Sequence, residues 1–472
     1  MKTVHLLGAC ALLAFGSFAR ADLSNGQAAN LVLGQSDFVT ATSGLSQTKF
    51  NFPRGVAVDA ATGKVFVSDA VNDRVLRFAS SASLATGAAA EAVLGQSDFV
   101  SGASATTQTG MNSPTGICVD SSGRLWVADR GNHRVLRFES AATKVSGSPA
   151  DGVLGQVLFT TAVSAAGATG MNGPGGVATN STGTLWVTDK DNNRVLRFDN
   201  AALKANGAAA DSVLGQPDFA TVTSSTMVNK MATPFDVAIS SADVLWVSDQ
   251  ANNRVLRFDG AASLGIGAPA NGVLGQTDFV TNTGGTTAAK FQFSLGLDLD
   301  SSGALYVADF NNNRVLIFKN AASKTDGANA DGVIGQSDFV TSAPADTATG
   351  LRGPQGVVLD ASGRLYVSQS GSNRVTRYSQ LDPTPKITVV GPSTRTTHKA
   401  SVKLTGTASS DIGILKVQFR VGSKGGYKAA HGTTSWSFKV NKLKFGTTRV
   451  TVLATATDGT AATRLLRIKR TH

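Results

Sequence analysis

The chain has 472 residues, 42% of them hydrophobic, with five histidines, two cysteines and a formal net charge of +11. That length and apolar content suit two or three domains with a large core and argue against disorder, while two cysteines exclude a disulfide scaffold. The charge is uneven: from Thr384 onward 16 Lys and Arg face Asp411 and Asp458, whereas everything before nets −3, so the larger part lacks the basic surface that phosphate binding needs.

At the N-terminus, Lys2 precedes an apolar stretch from Leu6 to Phe18, and Ala19-Arg-Ala21 places small residues where a signal peptidase reads them. The expectation is cleavage before Asp22 and export to a secreted, periplasmic or cell-surface location. Leu7-Gly-Ala-Cys10 has the form of a lipoprotein signal, but the apolar run continues past Cys10. No other segment has the roughly 18 consecutive apolar residues of a spanning helix, so no transmembrane segment is expected in the mature chain. Cys118 is then the one remaining thiol. It stands in the column of Ala57, Ala178 and Ala238, which suggests a buried small apolar role rather than a nucleophile.

The segment Val67-Ser-Asp-Ala-Val-Asn-Asp-Arg-Val-Leu-Arg-Phe78 recurs every 60 residues, placing Asp69, Asp129, Asp189, Asp249, Asp309 and Gln369 in one register. Each repeat reads as four short strands. A first apolar strand such as Gly55-Val-Ala-Val-Asp59 leads through a turn to a second, which carries Phe66, Trp126, Trp186, Trp246, Tyr306 and Tyr366 in one column. A polar turn gives way to Arg-Val-Leu-Arg-Phe, and a small-residue linker to Val-Leu-Gly-Gln. Radial repetition of four-stranded units is the pattern of propeller blades. Because the first Val-Leu-Gly-Gln, at Val32, precedes the first three-strand core, it is expected to complete the last blade and close the ring.

Pro-x-Gly-Val-Ala-Val-Asp, aromatic-Val-x-Asp and Asn-x-Arg-Val-x-x-Phe, as in Pro53 to Phe78 and Pro114 to Phe138, resemble the NHL-repeat β-propellers over about Leu31 to Ser379. The resemblance implies the fold. Similar propellers include binding modules, RNA-binding proteins, sensor domains, lyases and lactonase-like enzymes, so it does not choose a function. The zinc-dependent relatives use several central histidines, yet this propeller has His133 alone, in a turn where other repeats carry Asn. Lactonase-like relatives hold a cation with Glu, Asp and Asn; here the acidic long chains are Glu91 and Glu139, in a linker and at a strand end. A streptogramin-lyase-like His and Glu pair fails on the same residues.

Five equivalent pairs, Asp69 with Arg74, Asp129 with Arg134, Asp189 with Arg194, Asp249 with Arg254 and Asp309 with Arg314, cannot all serve one centre and read as structural turn and ion-pair elements. Function is better sought where the repeats differ. Asp236 replaces the Gly of Gly55, Gly116, Gly176, Gly296 and Gly356, and Asp298 replaces a small apolar residue; both fall on the expected innermost strand. The loops before these strands vary too, making Lys230, Lys290 and Arg352 candidate ligand-binding residues, with Met or Phe there either exposed to a partner or plugging the space between blades.

After Asp382-Pro-Thr-Pro385 the pattern becomes period-two strands with short turns, resembling a bacterial immunoglobulin-like module with Trp436 in its core. Lys416, Gln418 and Arg420 should share one face, which would suit an anionic envelope polymer. The domains are thus expected as 1–21 signal peptide, 22–382 six-bladed propeller and 383–472 β-sandwich, an all-β chain. The functional expectation is a monomeric, extracytoplasmic, non-enzymatic binding or scaffold protein. Its propeller would recognise a protein or glycan, with no cofactor and no nucleic acid, and its basic domain would space or anchor it. The alternative is a metal-assisted lyase or hydrolase in which Asp236 and Asp298 hold a divalent cation.

Overall fold

The computed structural model describes residues 23–379, 384–410, 413–457 and 459–472; the expected leader with Cys10, and also Asp411 and Asp458, lie outside the described residues. One compact unit spans Leu23–Ser379, and the residues from 384 onward belong to a second.

Each of the first five 60-residue repeats folds into a four-stranded antiparallel sheet whose strands follow chain order, the first being Pro53–Val58, Lys64–Asp69, Arg74–Ser80 and Ala92–Leu94. The turn after the first strand is built by an aspartate: Asp120 Oδ1 accepts the N–H groups of Ser122 and Arg124, at 2.9 and 3.0 Å. The next connection is a single 3-10 turn, Ala70–Asn72, closed by Asp73 in the left-handed region at φ 52°. His133, Asn193, Asn253, Asn313 and Asn373 take that conformation in the other repeats, the residue types that tolerate it most readily.

The six first strands pack side by side, each against the next and Pro354–Leu359 against Pro53–Val58, so they form a closed ring. The molecule is therefore a six-bladed β-propeller with these strands innermost. In the sixth blade the outer position is filled by Leu31–Leu33, which pairs with Arg374–Tyr378 and sets Val32 opposite Thr376.

Buried clusters lie between neighbouring blades; one joins Trp126 and Leu154 of the second blade to Val177, Leu185 and Leu196 of the third. Phe50, Met111, Met171, Met231, Phe291 and Leu351 are fully buried, so the first apolar residue of each blade-joining loop is a plug. The glycine of Val-Leu-Gly-Gln exists for that plug: at Gly95, with φ +89°, a Cβ would stand 2.9 Å from Met111 Sδ.

The C-terminal unit is a small sandwich of a three-stranded and a five-stranded sheet. Leu404, Val417, Trp436, Phe438, Val452 and Ile468 lie in its core, and Phe419 stacks on Phe438 at 3.9 Å. It gains a long strand that the sequence pattern did not suggest, Ala461–Arg470, which pairs with Gly446–Ala456.

Candidate functional site

Around the axis, glycine permits the inner strands to touch. A Cβ at Gly116 would lie 2.5 Å from Gly176 Cα, and one at Gly296 2.4 Å from the Gln355 carbonyl, so five of six positions in this belt carry no side chain. Asp236 is the exception. Its Oδ1 accepts its neighbour Val237 N–H at 2.9 Å, and its Oδ2 reaches the next blade to accept Leu297 N–H at 3.0 Å. Asp298 repeats the device one blade on, accepting Leu359 N–H at 2.6 Å.

Both carboxylates border a central cavity of about 210 Å³, walled otherwise by small and β-branched residues, by Leu297 and Leu359 and by Cys118. Burial pushes the pKa of each up to about 7, against the backbone N–H bonds that favour the anion, and the charge of Asp298 adds to the rise at Asp236. The thiol of Cys118, partly buried at the cavity wall, is likewise pushed well above its ordinary value by burial and the charge of Asp120, which disfavours the thiolate. Among the described residues no group of three or more His, Cys, Asp or Glu side chains converges to hold a metal ion. The cavity provides two groups that can hold or release a proton near neutrality, with oxygens already engaged by main-chain N–H groups.

Above the belt lies a second concavity of about 410 Å³ that no single motif announces. Every inner strand carries a bulge: Pro53 pairs with Asp69 and Val56 with Val67, leaving Arg54 and Gly55 opposite one residue, Ser68. Bulges re-aim side chains, and this one turns the residue before the glycine belt toward the axis. Arg54, Phe235, Leu295 and Gln355 occupy that position and line the pit floor. Hydroxyls fix this backbone, Ser368 donating to the Arg54 carbonyl and Thr188 to that of Phe235 at 2.9 Å. The walls come from two other columns: Phe52 and Phe293 before the inner strand, and Arg130, Lys190, Gln250 and Phe310 just after the repeated aspartate. These columns are among the least repetitive in the chain. Column 70, for example, reads Ala70, Arg130, Lys190, Gln250, Phe310, Ser370. This variation is the signal the sequence carries for the pit residues, and the ring brings them together.

Phe52 and Phe293 have φ of +62° and +64°, a strained conformation for a bulky residue. Each is held by an N–H bond to an asparagine of the preceding blade, Phe52 to Asn373 Oδ1 and Phe293 to Asn253 Oδ1, both 2.9 Å. His133 has the same role: its Nδ1 accepts Gly173 N–H at 3.0 Å, so it is a blade-joining residue.

The remaining sequence candidates sit elsewhere. Lys230 and Lys290 donate to the Val-Leu-Gly-Gln glutamines, Gln216 and Gln276, at 2.9 and 2.8 Å, so both ammonium groups are engaged in loop bracing. Arg352, 43% exposed, is paired with Asp346 at 3.0 Å. The five repeated pairs are fully buried within single blades, with Arg74 Nε 2.8 Å from Asp69 Oδ2 and its other nitrogens donating to the carbonyls of Phe99, Ser46 and Lys49. In blade six Gln369 accepts from Arg374, and the acid has moved to Asp346, which accepts from Ser372 at 2.5 Å.

A closed ring of six four-stranded blades followed by a sandwich defines a propeller with an immunoglobulin-like appendage. The chain carries NHL repeats, matched at residues 111–138, 171–198 and 291–318, and a C-terminal bacterial Ig domain, matched at 385–452. A streptogramin B lyase is 13% identical, with 72% of this chain and 85% of that one covered and a TM-score of 0.41. The extracellular domain assigned to a one-component system of B. thetaiotaomicron is 12% identical, with coverage of 91% and 50% and a TM-score of 0.45. A gluconolactonase from Xanthomonas campestris is 16% identical, with coverage of 76% and 96% and a TM-score of 0.39. No curated protein sequence matches. Among the described residues no helix is long and apolar enough to cross a membrane.

Proposed function

We propose that this is an extracytoplasmic binding protein whose propeller recognises its partner at the axial pit. The carrying observation is the pit itself: a concavity built from columns that differ between blades, while the columns that hold the blades together repeat almost unchanged. Residues shared by every blade stabilise the ring, and residues peculiar to one blade give its face directionality, which recognition of an asymmetric ligand requires.

The test is retention of native envelope material by full-length protein and by a Phe52→Ala, Phe293→Ala variant of matched thermal stability. Wild-type protein should retain a component that the variant loses; equal retention by both sinks the proposal.

The basic domain supports anchoring. The strand registers place Lys416, Arg420, Arg449, Arg467 and Lys469 on the outer face of the five-stranded sheet, with Arg449 directly opposite Arg467. Like charges facing each other across strands are unfavourable, and a polyanion would relieve them. Binding of the full chain to an anionic polymer should weaken with salt and with Arg449→Gln, Arg467→Gln; a salt-insensitive association would remove this role. The metal-assisted alternative is less well supported, because Asp236 and Asp298 already spend oxygens on main-chain N–H groups. Metal analysis of the purified protein, with and without Asp298→Asn, decides it: a divalent ion lost with the substitution would favour the alternative.

A further inference from the structure

The pit has a chemistry more specific than its shape. Arg54 lies with its guanidinium 5.3 Å from the centre of the Phe52 ring, and burial together with the charge of Arg130 pulls its pKa down to about 10. Two guanidinium groups that repel one another in a half-buried site are costly unless something anionic lies between them. Arg130 and Lys190 share one carboxylate, Asp191, at 3.7 and 3.2 Å, so the rim keeps an excess of positive charge. Among the described residues Arg54 Nε and Arg130 Nε are buried without a hydrogen-bond acceptor, and Gln250 Oε1 is buried without a donor. A ligand that completes the site must therefore offer both acceptors and donors.

Resting on the binding role proposed above, the geometry points to an acidic saccharide, a uronate unit at the end of a glycan, as the occupant of the pit. Its carboxylate meets Arg54 and Arg130, the guanidinium fork being the geometry that suits a planar carboxylate. Its hydroxyls supply the donor for Gln250 and acceptors for the remaining N–H groups. The apolar C–H face of the ring rests against Phe293 and Phe310, aromatic surfaces that a phosphate or sulfate ion would leave uncovered. The cavity of about 410 Å³ has room for a ligand of this size. An acidic peptide carries the same charge but presents no flat C–H face of this kind.

The experiment is calorimetric titration of the full-length protein with a triuronate, a neutral glucose trisaccharide and triglutamate. The triuronate should bind, with the other two weaker by about tenfold or more, and Arg54→Gln and Arg130→Gln should each weaken it by a similar factor at unchanged thermal stability. A variant of the basic face of the C-terminal sandwich, Arg449→Gln with Arg467→Gln, should bind the triuronate as wild type does. The inference is overturned by equal binding of the neutral sugar, by tighter binding of triglutamate, by indifference to Arg54→Gln, by dependence on the Arg449 face, or by no heat with the triuronate. Should envelope material still be retained through Phe52 and Phe293 while the triuronate fails, only the saccharide assignment falls and the binding role stands.

Discussion

Asp236 of the fourth blade accepts the backbone N–H of Leu297 in the fifth, at 3.0 Å, where every other blade has a glycine. The same carboxylate is held near a pKa of about 7 by burial. Asp298 shares both properties.

Stability should therefore fall as pH rises through this region. A carboxyl whose folded pKa stands above its unfolded value, here about 7 against 3.8, keeps its proton longer in the folded state. Below both values the group contributes nothing. Between them the unfolded chain has ionised and the folded chain resists, and above pH 7 the penalty is complete. Thermal unfolding from pH 4 to 8 should show a decline that Asp236→Asn, Asp298→Asn makes shallower, a remaining slope belonging to the paired aspartates such as Asp69 and Asp129, which burial pushes up to about 6. The slope is the diagnostic, since asparagine also loses one acceptor oxygen; parallel curves would show that these groups ionise normally.

Gly116→Ala and Gly296→Ala should each destabilise by about 1–3 kcal/mol, the usual range for overpacking. The obstacle is backbone of the next blade, which cannot step aside without opening the ring. Gly265 is the control: an added Cβ meets nothing within 4 Å, so Gly265→Ala should be neutral or slightly stabilising. Urea midpoints compare the three.

The blades were legible because each repeat states its strands, turns and buried pair in the same order, and six copies average out local ambiguity. Asp236 and Asp298 were legible as exceptions to a column. The pit was not, because Phe52, Arg54 and Arg130 are dispersed along the chain and meet only through the bulge and the ring. Lys230 and Lys290 stood out as charged residues in variable loops, but their bonds run to glutamines in a phrase that looked purely structural. The strand Ala461–Arg470 was hidden by its charge: Arg467 and Lys469 alternate with buried Leu466 and Ile468, yet the segment reads as a basic tail.

Removing Arg134 should cost more than removing Arg374. Both guanidinium groups are fully buried and brace loop carbonyls, so those losses are shared. In blade two, Arg134→Met strands the buried carboxylate of Asp129, and breaking such a pair from one side costs about 3–5 kcal/mol. In blade six, Arg374→Met leaves the neutral amide of Gln369, which keeps its bond to Thr376 at 2.9 Å. Denaturant unfolding of the two variants should therefore rank Arg134→Met clearly below Arg374→Met, and equal losses would mean that the carbonyl bonds, not the charge, dominate the column.

The ring depends on a strand of three residues. Leu31, Val32 and Leu33 are almost completely buried, and they pair with Arg377, Thr376 and Val375. Around them Gln27 Nε2 donates to the Ser379 carbonyl at 2.7 Å, and Asn25 Oδ1 accepts Val333 N–H at 2.9 Å. Without this segment Arg374–Tyr378 becomes an open edge, a template for pairing with another chain. A chain beginning at Ser36 should consequently associate on size-exclusion chromatography and unfold at lower temperature than one beginning at Asp22. Val32→Asp separates the two causes, since it keeps the backbone pairing available while placing a charge in the core. If ring closure by hydrogen bonding dominates, Val32→Asp should lose stability yet remain monomeric; association of both variants would assign the effect to the buried side chains instead.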